Sequence, residues 1–275
     1  MSQAAVAANT AANPAEVLYS VANHVATITL NCPERMNTIS HTMLGDITAL
    51  MLKADNDPAV RVIVLTGTGR AFCAGLDLTS ATKGEGGVAN ASSNPSNLDL
   101  KATPPTVMFN LEKPLIAALN GSAAGYGLDM ALIADIRLMA RGAKLSAAFV
   151  KRGILPESGG TWLLPKLLGW SKAAELIFTG RTLDAEEALR LGLVSELVDA
   201  ADLPARARAL AEEIAGNAPL AVQASKRMMR MGLNETFHDH VHHVFLQLLP
   251  LLRSADAREG MLAFLEKRTA DFKGK

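Results

Sequence analysis

The sequence is poor in cysteine, in aromatic residues and in net charge, and each shortage narrows what it can be. It has two cysteines in 275 residues, Cys32 and Cys73, so a disulfide framework is excluded and a reducing compartment is expected. Both fall where cysteine packs as a small hydrophobe, at a strand end and in a buried turn. No motif places a histidine beside Cys73 to make it a nucleophile. Twenty-seven basic and twenty-seven acidic residues cancel, leaving no overall field to draw in nucleic acid or an anionic membrane. No apolar run approaches the roughly 18 residues that span a bilayer. Residues 1–14, rich in Ala and Asn, lack a charged stretch followed by an apolar core; they read as a disordered tail rather than a signal peptide. The final Lys273-Gly274-Lys275 is not a peroxisomal address. A cytoplasmic protein is expected.

A metal site is not expected either. His238, His240, His242 and His243 cluster, and His238 and His242 share a helical face. Apart from the adjacent Asp239, no acidic or cysteine partner completes a ligand set, so the cluster reads as a helix surface or a subunit contact.

What the chain does have is 49% hydrophobic residues, enough for a sizeable core in one or two domains. Strands are expected at 16–20, 24–30, 61–66, 114–119 and 136–140. Helices are expected at 40–54, 104–110 and 128–134. The stretch 81–98, rich in Gly, Asn and Ser, reads as a polar loop, either a flap over a ligand or a plain insertion. Beyond about residue 200 strand signals fade, and four helices are expected at 201–216, 219–231, 235–252 and 255–269.

Two short segments carry the chemistry. Arg70-Ala71-Phe72-Cys73-Ala74-Gly75-Leu76-Asp77-Leu78 follows an apolar strand and consists largely of small residues. Asn120-Gly121-Ser122-Ala123-Ala124-Gly125-Tyr126-Gly127-Leu128-Asp129 does the same and then opens into a helix. Small side chains let a carbonyl approach the main chain, and fixed backbone N–H groups there stabilise an oxyanion. A helix N-terminus adds unpaired donors and partial positive charge. Either segment alone is weak evidence, since a small-residue turn after a strand is usually just tight packing.

Together, and with the segment 153–165, they resemble the crotonase (enoyl-CoA hydratase/isomerase) superfamily over residues 15–275. The resemblance implies an α/β fold, a spiral of ββα turns at 15–200, with helices at 201–275 that make subunit contacts and close an acyl-CoA site. It implies a homotrimer or homohexamer, with coenzyme A as part of the substrate and no separate cofactor. By resemblance the oxyanion donors are the N–H groups of Leu76 and Tyr126, the latter standing where the family often has glycine. Asp129 matches one glutamate of the hydratase pair but is one methylene shorter. Phe149 stands at the second glutamate position and cannot hold water or deliver a proton. The next acid is Glu157, where related isomerases carry an acidic residue, and Phe149 and Trp162 are expected beside it. A carboxyl facing such an apolar pocket has a raised pKa, suited to removing and returning a proton.

For the rest of the substrate, Arg35 and Met36 lie in a loop resembling the family's adenine-side loop. Ala71, Cys73, Ala74, Gly75 and Asp77 lie along the expected pantetheine path. Phe264, Lys267 and Lys273 belong to the region resembling the closing helix, with the lysines expected near phosphate. The sequence thus favours an enzyme that shifts the double bond of an enoyl-CoA thioester. An enoyl-CoA hydratase and a non-catalytic acyl-CoA binder are the alternatives. A hydrolytic dehalogenase is disfavoured by the 4% aromatic content.

Overall fold

The computed structural model describes residues 15–77 and 103–275; the expected tail at 1–14 and polar loop at 81–98 lie outside them. β1 (Val17–Ala22) and β2 (Val25–Leu30) form an antiparallel hairpin. Its turn residues, Asn23 and His24, both have positive φ, 49° and 64°, the geometry that carries the strand twist through a two-residue turn. A 3-10 turn (Pro33–Arg35) leads to α1 (His41–Asn56). Ser40 caps α1, its Oγ accepting the Met43 N–H at 3.1 Å. Met43, Ile47 and Met51, four residues apart, are buried along one face, as an amphipathic helix requires.

Three strand pairs follow, and each pair is divided between two sheets. The pairs are β3 (Val62–Gly67) with β4 (Ala71–Cys73), β5 (Leu115–Leu119) with β6 (Ser122–Ala124), and β7 (Ile136–Ala140) with β8 (Lys144–Ser146). The first member of each joins a six-stranded sheet, order β1-β2-β3-β5-β7-β10, and the second joins a four-stranded sheet, order β4-β6-β8-β9. Within each sheet these strands run parallel. A helix follows each pair: α2 (Pro104–Asn110), α3 (Tyr126–Ile133) and α4 (Gly160–Leu168). The chain therefore adds one strand to each sheet per turn, which is the expected spiral of ββα turns. β5 shows why the order is stable: all five of its residues are buried, as in a parallel strand covered on both faces.

α5 (Trp170–Thr179), β9 (Thr182–Asp184), α6 (Ala185–Arg190) and β10 (Glu196–Val198) complete the sheets. β9 lies antiparallel to β8, and β10 lies parallel to β7. α7 (Leu203–Ala215) then packs across the large sheet. Its stripe of Leu203, Ala207, Ala211 and Ala215 is buried, and the small alanines allow that close approach. α8 (Pro219–Gly232) is tied to the spiral by Lys226. Its Nζ lies 2.6 Å from Asp135 Oδ2 and donates to the Lys113 carbonyl at 2.8 Å. α9 (Phe237–Leu251) and α10 (Ala255–Glu266) end the chain's regular structure. No residue of α9 is buried within the chain, although Phe237, Phe245, Leu246 and Leu249 lie along it. Among the described residues no helix is long and apolar enough to cross a membrane.

The short strands β4, β6 and β8 to β10 were not expected from the sequence. Three residues cannot display an alternation, and β4 and β6 fall inside the two small-residue segments that read as turns.

Candidate active site

The first small-residue segment is held by the loop at 36–39 that leads into α1. Ala74 N–H donates to the Met36 carbonyl at 3.0 Å, Ile39 N–H to the Gly75 carbonyl at 2.8 Å, and Asp77 N–H to the Ile39 carbonyl at 3.0 Å. These bonds fix the backbone on both sides of Leu76, whose own N–H has no partner among the described residues. Gly75 has φ +107°, and a Cβ there would lie 3.1 Å from the Ala124 carbonyl oxygen. Glycine is therefore needed both for the turn and for its contact with the second segment.

That second segment is built the same way. Gly125 adopts φ 52°, ψ −124° and directly precedes α3, so Tyr126 N–H is the first free donor of the helix. It too has no partner among the described residues. Each donor thus follows a glycine of positive φ, and the Cβ position of Gly75 lies 3.8 Å from the Tyr126 nitrogen. Gly127 brings the helix onto β4: a Cβ there would overlap the Cys73 carbonyl. The Tyr126 ring is buried, and its hydroxyl has no partner among the described residues; burial pushes its pKa up.

Leu76, Tyr126, Ala74 and Gly75 line a cleft of about 60 Å³ together with Phe149 and Glu157. Glu157 is an exposed residue in the turn before α4, yet the protein around its carboxyl removes enough water to raise its pKa. Its own N–H opposes that shift. Asp129, one turn into α3, lies behind the cleft and not on its wall. It is fully buried, and its Oδ2 accepts the Ser158 N–H at 3.1 Å. Burial is the main cause pushing its pKa up to about 7. The Ser158 and Gly160 N–H groups oppose the shift, and the charge of Glu157 adds to it.

A larger cavity, about 820 Å³, lies between α4 and α8. Its charged groups are already engaged: Arg137 donates to the Leu132 and Leu193 carbonyls, and Lys226 pairs with Asp135. Size and chemistry therefore point to different places. The small cleft is the candidate active site, because its wall brings together the two unpartnered backbone donors and an acid of raised pKa.

Two turns whose N–H groups have no partner among the described residues line one cleft with a carboxyl and an aromatic ring, on a spiral of ββα turns. The sequence model of the enoyl-CoA hydratase/isomerase family matches residues 20–275. The chain belongs to that family, and so to the crotonase superfamily. It is an enzyme of the hydratase/isomerase class. It is 37% identical over 265 residues to (E)-benzylidenesuccinyl-CoA hydratase of Thauera aromatica, covering 94% of this chain and 99% of that protein. It is 39% identical over 253 residues to carnitinyl-CoA dehydratase of Escherichia coli K12, covering 90% of this chain and 94% of that protein. The crystal structure of enoyl-CoA hydratase from Bacillus anthracis matches with a TM-score of 0.86 at 33% identity, covering 95% of this chain and 100% of that one.

Not every residue that family membership brings to mind reaches this cleft. Trp162 is not on its wall; it packs edge-on against Phe109 with ring centroids 5.5 Å apart, under Lys166. Cys73 is wholly buried and its thiol is pushed up to about 12 by that burial, so its side chain is sealed off. The Ala71 carbonyl accepts from Asn37 and Asn120 at 2.8 and 3.2 Å. The Arg35 guanidinium turns toward Glu16, Cys32 Sγ and Met43 Sδ, with Asp77 at 3.9 Å. Met36 beside it is left-handed and partly exposed.

The C-terminal candidates also lie away from the cleft of their own chain. Phe264 is 83% exposed, and Lys267 is the left-handed cap of α10. Lys273 N–H donates to Asp256 at 2.6 Å, and its Nζ lies 2.7 Å from Asp271. The adjoining Phe272 carbonyl accepts from Arg61 at 2.6 Å. Arg61 precedes β3, at the end opposite the one that leads into β4 and the first donor turn.

Sequence reasoning missed Ala148, Arg152 and Ile154, which also line the cleft. A 3-10 turn (Val150–Arg152), closed by Gly153 at φ 71°, carries Arg152 to the wall. Its only sequence signal is a glycine after two basic residues, common in any surface turn. Ser158 was also missed, since its role is that of a backbone donor. Among the described residues no three His, Cys, Asp or Glu side chains are grouped to hold a metal. His240 and His243 instead share Glu235, at 3.2 and 2.9 Å.

Proposed function

We propose that this enzyme shifts the double bond of an enoyl-CoA thioester by removing and returning one proton. Glu157 takes the Cα proton of a 3-enoyl thioester, and the electron pair delocalises onto the carbonyl oxygen. The N–H groups of Leu76 and Tyr126 stabilise that oxygen. Protonated Glu157 then returns the proton at Cγ, leaving the 2-enoyl thioester. The observation that carries this reading is that, among the described residues, Glu157 is the carboxyl lining the cleft with both donors, and Phe149 lines it as well. A raised pKa suits a group that must both accept and give a proton near neutrality. Coenzyme A is part of the substrate, and no other cofactor takes part. The Arg35–Met36 loop, the 71–77 segment and, from a neighbouring copy, Phe264, Lys267 and Lys273 are proposed to hold it. The protein is proposed to work as a homotrimer or homohexamer in the cytoplasm. α9, with no buried residue, and two buried free cysteines support these two points.

Water addition to a 2-enoyl-CoA is the second reading, favoured by the names of the two relatives, a hydratase and a dehydratase. Mass analysis after incubation with 2-enoyl- and 3-enoyl-CoA thioesters separates the two, since hydration adds the mass of water and isomerisation does not. Glu157→Gln is expected to lower turnover by about 10²- to 10⁴-fold, the usual worth of a general acid/base, while acyl-CoA binding is kept. Turnover near the parent's would remove Glu157 from the mechanism, and robust hydration without migration of the double bond would establish the second reading.

A further inference from the structure

We infer that Asp129 is a positioning residue: its carboxyl clasps the 156–160 bend that presents Glu157, and it is not a second proton carrier. This rests on the reading of Glu157 as the acid/base. Three observations carry it. Asp129 is fully buried and off the cleft wall, whereas Glu157 is on it. Its Oδ2 accepts the N–H of Ser158, the residue directly after Glu157. A Cβ on Gly160 would overlap Asp129 Oδ1 and leave Pro156 Cβ only 2.9 Å away, so the bend is shaped around this carboxyl.

The position of Asp129 gives the clasp its consequence. It stands three residues after Tyr126 on α3, so the helix that supplies one oxyanion donor also grips the bend that supplies the acid. This side chain therefore helps to set the distance between the developing oxyanion and the proton acceptor. A misplacement of about 1 Å in such a constellation costs on the order of 10²-fold in rate. The raised pKa agrees with a group sealed from substrate and water. In its neutral form the carboxyl still offers a carbonyl oxygen to Ser158, and an asparagine there has the same shape and keeps that acceptor.

The test compares Asp129→Asn, Asp129→Ala and Glu157→Gln with a 3-enoyl-CoA, reading kcat and KM separately. Asp129→Asn is expected to stay within about tenfold of the parent kcat, and Asp129→Ala to lose about 10²-fold in kcat with KM little changed. If Asp129→Asn falls as far as Glu157→Gln, Asp129 carries a proton and the inference is overturned. If Asp129→Ala does not fold, Gly160→Ala serves instead: it displaces the carboxyl with Asp129 intact and should lower kcat similarly, and an unchanged kcat overturns the inference. Full activity of Glu157→Gln would defeat the functional reading alone. The clasp is then read by amide hydrogen exchange over 155–160, expected faster in Asp129→Ala and parent-like in Asp129→Asn. Exchange unaltered in Asp129→Ala would overturn it.

Discussion

By the sequence resemblance, Phe149 and Asp129 match the two glutamate positions of the hydratases, and neither puts a carboxyl on the cleft wall. Phe149 replaces the acid with a buried ring, and Asp129 keeps it but sinks it behind the wall. Burying a carboxyl is costly for its charged form, so Asp129 should leave a mark on stability. Its folded pKa, about 7, exceeds the value of about 3.9 usual for an exposed aspartate. Between those values the unfolded chain has already lost the proton and the folded chain has not. Stability therefore falls as pH rises from about 4 to about 7, and the penalty then stays constant. Asp129→Asn carries no such penalty. Thermal melts should show its Tm rising relative to the parent's between pH 5 and pH 8. A difference independent of pH would mean that Asp129 ionises normally in the folded protein.

At the level of elements, both donors depend on short strands that hold glycine turns against each other. β4 and β6 pair in parallel through only two registered residues, with an irregularity between them, so the close contacts beyond the ladder matter. Gly127 makes one of these contacts. Alanine there would press on the Cys73 carbonyl, part of a backbone that cannot swing aside as a side chain would. Gly127→Ala is expected to cost about 1–3 kcal/mol, the usual range for overpacking. It should also lower kcat, because the first turn of α3 carries the Tyr126 donor. A melt and a kcat both equal to the parent's would show that the helix start can shift without loss.

The whole molecule leaves a large apolar surface unaccounted for within one chain. Phe237, Phe245, Leu246 and Leu249 on α9 and Met261, Phe264 and Leu265 on α10 are all exposed. Exposed apolar surface of this extent marks an interface. Sedimentation should give a mass three or six times 29.0 kDa. Replacing Phe245 and Leu249, both on α9, with aspartate should lower that mass. A monomer at working concentration would end the oligomer reading. Assembly would also explain how Phe264, Lys267 and Lys273, remote from their own chain's cleft, serve a site at all.

The sequence by itself determined the longer strands of the large sheet, the first helices and the helical C-terminal segment. Apolar runs such as 61–66 and 114–119, short and bounded by turn residues, read as buried strands, and Met43, Ile47 and Met51 mark one face of a helix. The two small-residue segments were legible as tight turns after strands; that Leu76 and Tyr126 carry the donors came from the family resemblance, and the positive φ of Gly75 and Gly125 appeared only in the structure. Side-chain direction was not legible. Nothing in the spacing of Asp129, Phe149, Glu157 and Trp162 says that α3 would bury the first and that α4 would turn the last toward Phe109. Nor does the sequence show that Arg152 would reach the wall or that the C-terminal tail would bind at Arg61. Those outcomes depend on how separate turns of the spiral pack against one another. Contacts between residues 29 to 211 positions apart set that packing, and no local pattern records it.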